Sequence, residues 1–228
     1  MKVIRIVDLQ AFLIIITFLI TGIILAIISA LGFKGIKAFR NLSYVFILKA
    51  LGDVFLLIAM FFKYYLEFRL IYVISISSYG YSYLASVVVL AAWLHKELYE
   101  EKGRMALLSF APLLAVTYVP MEKVYSLIIA GFHVGLTTAV SFYAVFLSLK
   151  MARKRKGGSL LWVLGAIYAI LIAIAPTGSV IITLLSLISP SPIYDIIFVL
   201  MVFLIDVVSI IIYLYYRKVI MPILAQVL

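Results

Sequence analysis

Four ionisable residues stand inside long apolar stretches of this 228-residue sequence: Lys49, Asp53, His133 and Asp206. An ionisable group at the centre of a bilayer costs roughly 2.5–3.5 kcal/mol on insertion scales and is a functional-site candidate by default. Lys49 and Asp53 are four residues apart and share a helix face, the spacing of an internal ion pair. Counted at about 1.5 Å per residue, Lys49 and Asp206 fall at one depth and Asp53 and His133 at another. The spacing predicts two polar layers, Lys49/Asp206 and Asp53/His133. Each reads as a structural lock between helices or as part of a path for an ion, proton or solute.

Hydroxyl groups extend this set. Ser75, Tyr79, Ser82 and Ser86 recur at the spacing of one helical face, while Ser78, Ser82 and Ser86 form a small-residue series that lets another helix approach. Gly131 and Gly135 flank His133, and His133, Thr137 and Ser141 share a neighbouring face. Pro176-Thr177-Gly178-Ser179 interrupts an apolar run. Proline removes a backbone donor and crowds the carbonyl four residues back, so Pro176 and Gly178 are expected to form a hinge. Such breaks either expose backbone groups to a substrate or are bends satisfied by nearby Ser and Thr.

Other chemistries fit poorly. There is no cysteine, so thiolate metal sites, cysteine nucleophiles and disulfides are excluded. His95 and His133 lie at different depths, which disfavours a bis-histidine haem, and the last apolar run lacks a lysine for a retinal Schiff base. Paired aspartates can activate water, but intramembrane aspartyl proteases carry Gly-x-Gly-Asp, and this chain has Ala50-Leu51-Gly52-Asp53. No phosphate loop, zinc spacing or Ser/His/Asp arrangement is visible. The expectation is a protein that is not an enzyme, with no cofactor and no metal.

The elements that must position these residues follow from composition. Hydrophobic residues make up 67% of the chain and charged ones 12%, with mean hydropathy +1.29. Soluble domains are roughly 45–50% apolar and about 25% charged, so a soluble globule is excluded. A spanning helix needs about 20 apolar residues. Seven stretches qualify, at 9–33, 42–62, 70–94, 105–119, 124–149, 160–188 and 193–216. The fourth is short and contains Pro112. The basic start and apolar run of 1–20 look like a signal peptide but lack a small-residue cleavage site, so this segment is read as the first helix.

Thirteen of the nineteen Lys and Arg residues follow stretches one, three, five and seven, among them Lys34, Lys37, Arg40, Lys96 and the run Arg153-Lys154-Arg155-Lys156. Basic residues favour the cytoplasmic side. The expected fold is therefore one all-α domain of seven transmembrane helices, residues 1–228, with an outer N-terminus, a cytoplasmic C-terminus and no soluble domain. A short fourth helix would suit a 3+1+3 plan, although 9–94 and 124–216 show no evident self-similarity.

The net charge of +10 reads as topology rather than a nucleic-acid site. Arg153, Lys154, Arg155 and Lys156 are expected to meet anionic lipid head groups at the cytoplasmic face, or protein partners in a larger membrane complex. Scarcity of Asn, Gln and Cys fits a hot environment. The expected activity is transport or channel-like passage of a small solute or ion through a cell-membrane bundle, lined by Lys49, Asp53, Ser75, Tyr79, Ser82, His133, Thr137 and Asp206. The alternative is a non-conducting scaffold or sensor that docks partners through its basic loops.

Overall fold

The structure, a computed structural model, describes residues 6–36, 39–63, 69–99, 123–154, 159–188 and 191–222. Side chains are described within them except at 6–8, 69–70, 72–73, 123–133, 176, 179–180, 182–184 and 186–188. Every long element is a helix: α1 (Ile6–Lys34), α2 (Arg40–Phe61), α3 (Arg69–Tyr99), α4 (Lys123–Lys154), α5 (Ser159–Ile188) and α6 (Pro192–Tyr215). No strand occurs among the described residues. Ser191 caps α6, its hydroxyl accepting from the Ile193 N–H, and Pro192 stands in the first turn where its missing donor is harmless. A π-helical turn, Tyr216–Ile220, closes the last helix.

Each helix packs on its neighbour in sequence, and α1 packs on α6, so the six form a closed ring. Facing residues give the directions. Phe12 meets Phe61 and Phe33 meets Phe46, so α1 and α2 are antiparallel. Phe18 meets Phe203 and Phe33 meets Tyr213, so α1 and α6 run parallel. His95 bonds Tyr143 and Tyr99 bonds Lys150, so α3 and α4 are parallel as well. The ring thus consists of two antiparallel triplets, α1–α3 and α4–α6, joined by two parallel seams.

The outer wall of the ring is apolar and its interior holds a charged cluster. Leu13, Leu31 and Phe142 are 56–62% exposed, whereas Lys49 and Asp53 are 0% exposed. This inversion suits hydrocarbon as the solvent, where helices satisfy their own backbone. Among the described residues, five helices are long and apolar enough to cross a membrane, over Leu9–Lys34, Arg40–Phe61, Ile74–Tyr99, Val134–Lys154 and Pro192–Ile220. A shorter apolar part of α5 covers Ser159–Ala175. The molecule has the build of a helical membrane protein.

Six of the seven expected stretches coincide with α1–α6; the stretch at 105–119, with Pro112, lies outside the described residues. At 176–179 α5 is continuous and runs on to Ile188. The Thr177 hydroxyl donates to the Ala173 carbonyl at 3.0 Å, one turn back, as in a bend satisfied by a nearby Thr.

Candidate functional site

α2 brings Lys49, Gly52 and Asp53 to the inside of the ring. The Lys49 ammonium donates to Asp53 Oδ2 at 2.6 Å and forms an ion pair with the Asp206 carboxylate of α6. Its third contact is the Val202 carbonyl, one turn before Asp206, at 3.4 Å. The ammonium thus makes two hydrogen bonds and an ion pair, and the paired Asp206 oxygen, Oδ1, is buried without a hydrogen bond of its own. Lys49, Asp53 and Asp206 are 0%, 0% and 1% exposed, a closed contact with no void beside the lysine or Asp53.

α3 supplies the rest of the shell. The Tyr83 hydroxyl donates to Asp53 Oδ1 at 2.7 Å, and its ring lies 5.7 Å from the Lys49 ammonium, within reach of a cation–π attraction. Tyr79 packs on Tyr83 at 4.5 Å between ring centres and on Phe198 of α6 at 5.8 Å. From α5, Tyr168 packs edge-on against Phe46 at 5.6 Å. The hydroxyls of Tyr79 and Tyr168 are buried and have no hydrogen-bond partner.

Two glycines make this density attainable. A Cβ on Gly22 of α1 would collide with the Asp206 carboxylate, and one on Gly52 would sit 2.8 Å from the Tyr83 ring. Each costs its helix about 1 kcal/mol relative to Ala, and each lets a neighbouring side chain approach the backbone.

The two ends of the ring differ. At one end lie Lys34, Arg40, Lys96, Lys150, Arg153, Lys154, Arg217 and Lys218. Beneath them Phe33 packs on Phe39, Phe46, Tyr213 and Tyr216 at 5.3–6.1 Å. Trp93 joins Phe39 to Trp162 at 5.8 and 5.6 Å, so five helices close that end with rings. At the other end Lys63 donates to both Asp195 oxygens at 2.7 Å, tying α2 to α6.

The predicted residues separate accordingly. Lys49 meets Asp206, as the depth count predicts, and also Asp53, as the four-residue spacing predicts, because the lysine stem spans the single turn that separates it from Asp53. Ser75, Tyr79, Ser82 and Thr137 are buried, as are Ser86 and Ser141. Ser82 donates to the Ser78 carbonyl and Ser86 to that of Tyr83, so these hydroxyls are spent on their own helix. The His133 and Pro176 side chains, Arg155 and Lys156 lie outside the described residues. Gly178 lies against Met201, Gly135 faces open space, and Arg153 and Lys154 are exposed.

Sequence reasoning did not single out Tyr83, Tyr168, Gly22 or the Lys63–Asp195 pair. Tyr83, one turn from Tyr79 and beside Ser82, carried the only usable signal. No protein-family model matches the chain, and no curated protein or solved structure is significantly similar to it. Fold and site together define a class: a polytopic helical membrane protein with an ionisable cluster inside its bundle.

Proposed function

We propose that the protein is a cell-membrane transport protein that moves a small solute or ion through the centre of the ring. The observation that carries this reading is the meeting of Lys49, Asp53 and Asp206 from two helices inside an apolar bundle. A lock between α2 and α6 needs one charge of each sign. This cluster holds an additional carboxylate, and intramembrane carboxylates mark ion and proton pathways. The closed contact and the aromatic end correspond to a shut state.

The reading includes seven spans. The ends of α3 and α4 lie side by side, which supports counting the apolar run 105–119 of the sequence as a further span. The basic rim then faces the cytoplasm, which puts the start of α1 outside, and Arg153 and Lys154 extend toward anionic lipid head groups.

The test is purified protein in liposomes with entrapped dyes for H⁺, Na⁺ and K⁺. Flux above empty vesicles, cut at least tenfold by Asp206→Asn and by Asp53→Asn, supports the pathway. Flux unchanged by both removes these residues from it, and no flux of any of the three ions overturns ion transport.

A second reading has its own observation. Zero exposure at Lys49 and Asp53 also suits a non-conducting scaffold whose cluster locks the helices while the basic rim docks an acidic partner. Silent vesicles, together with a partner captured by the wild type and lost when Arg153, Lys154, Arg155 and Lys156 are neutralised, would favour it.

A further inference from the structure

We propose that the Lys49–Asp53–Asp206 cluster is a binding site for one exchangeable proton, held on a carboxyl oxygen of the aspartate pair. As the ion that transport would use, this proton rests on the proposed function; as an equilibrium site it is tested separately.

Charge balance comes first. One ammonium and two carboxylates leave one uncompensated negative charge, and an uncompensated charge buried away from water is very costly. Two carboxylates that share a site do not both stay ionised without compensation. Lys49 cannot supply more, since it carries one positive charge and already meets both carboxylates and the Val202 carbonyl. A compensating cation is needed. Lys49 and Asp53 have no exposure and Asp206 only 1%, so a hydrated or bare metal ion would have to open the cluster. A proton needs no volume. Its binding converts one carboxylate into a carboxylic acid, and its release to water reverses that change.

The surroundings agree, element by element. The groups facing the carboxyls are Lys49 and Asp53 from α2, Tyr79 and Tyr83 from α3, Tyr168 from α5 and Asp206 from α6. α1 presents Gly22, and no titratable side chain of α4 faces the carboxyls among the described residues. Only one of the tyrosines is engaged with a carboxylate, through Tyr83 and Asp53 Oδ1. The hydroxyls of Tyr79 and Tyr168 are buried within electrostatic reach of both aspartates without bonding either carboxyl; their polar neighbours are Tyr83, and Ser86 and Ser209. Such hydroxyls can accept a proton from one neighbour and donate to another. Tyr79 lies on the side of the non-basic end, one turn from Ser75, whereas rings close the basic end.

The experiment is infrared spectroscopy of the protein in lipid nanodiscs, with aspartate side-chain carboxyls labelled with ¹³C, from pH 5 to 9. The wild type is expected to show one isotope-shifted carboxylic-acid band at pH 7. Asp206→Asn and Asp53→Asn should each abolish it, because the remaining aspartate and Lys49 form a neutral pair that needs no proton. Asp195→Asn should leave it in place. Absence of the band in wild type across the pH range overturns the site, and this readout depends on no variant folding. A band that survives both Asp53→Asn and Asp206→Asn puts the proton elsewhere and also overturns it. A band without ion flux in liposomes keeps the proton site and removes transport; flux without a band does the reverse.

Discussion

The Lys49 ammonium on α2 touches the Asp206 carboxylate on α6, so two helices far apart in sequence are tied by charge inside the bundle. Removing one member of such a buried pair typically costs about 3–5 kcal/mol, because the remaining charge is stranded. Lys49→Met should therefore lower the melting temperature sharply in detergent. The triple change Lys49→Met, Asp53→Asn, Asp206→Asn should recover most of that loss, since no charge is then left without a partner. Thermal unfolding followed by circular dichroism reads both. Equal destabilisation by the single and triple changes would mean that packing, not charge, holds the pair.

Gly22 supports Asp206 from α1 by leaving room for it. Gly22→Val places side-chain atoms where the carboxylate sits, and overpacking of this kind costs roughly 1–3 kcal/mol. A Cβ on Gly135 would meet nothing within 4 Å outside its own helix backbone, so Gly135→Ala should be neutral or slightly stabilising. Melting temperatures of the two variants should move apart. Similar shifts would show that the close approach at Gly22 is unimportant.

The helices were legible in the sequence because hydrocarbon leaves the backbone no other choice. An apolar run bounded by charge or turn residues has to be a helix, and α2 starts at Arg40 where the run was expected from 42. Neighbour relations were less legible. Depth counting paired Lys49 with Asp206, the contact found, and put Asp53 one turn away; the lysine side chain reaches across that turn and meets both carboxylates. Tyr83 and Tyr168 were hidden among 16 tyrosines that share their composition and differ only in which way they face. The wide aromatic closure around Phe33 was equally invisible, since ring contacts between five helices depend on the order of packing around the ring.

Tyr83 tests how much the shell holds the cluster. Its hydroxyl donates to Asp53 Oδ1, and hydrogen bonds to charged groups are worth about 1.5–3 kcal/mol. Tyr83→Phe keeps the ring against Tyr79 and Gly52 and removes only that donor. It should destabilise by this amount, while Tyr79→Phe, which removes a hydroxyl that bonds no carboxylate, should cost less. Unfolding of both in the same detergent makes the comparison; an equal loss would contradict the assignment.

The direction of α4 decides the number of crossings. Lys96 near the end of α3 and Lys154 at the end of α4 lie at the same end of the ring, because His95 meets Tyr143 and Tyr99 meets Lys150. The chain has no cysteine, so a single introduced thiol is a unique label. If residues 100–122 return across the bilayer, Lys96→Cys and Lys154→Cys react with a membrane-impermeant maleimide from the same side. Lys63→Cys, beside Asp195 at the other end, then reacts from the opposite side. If the segment does not cross, α4 starts at the basic end, and Lys154→Cys labels with Lys63→Cys instead. That outcome would break the parallel seam between α3 and α4, and with it the ring that brings Asp206 to Lys49.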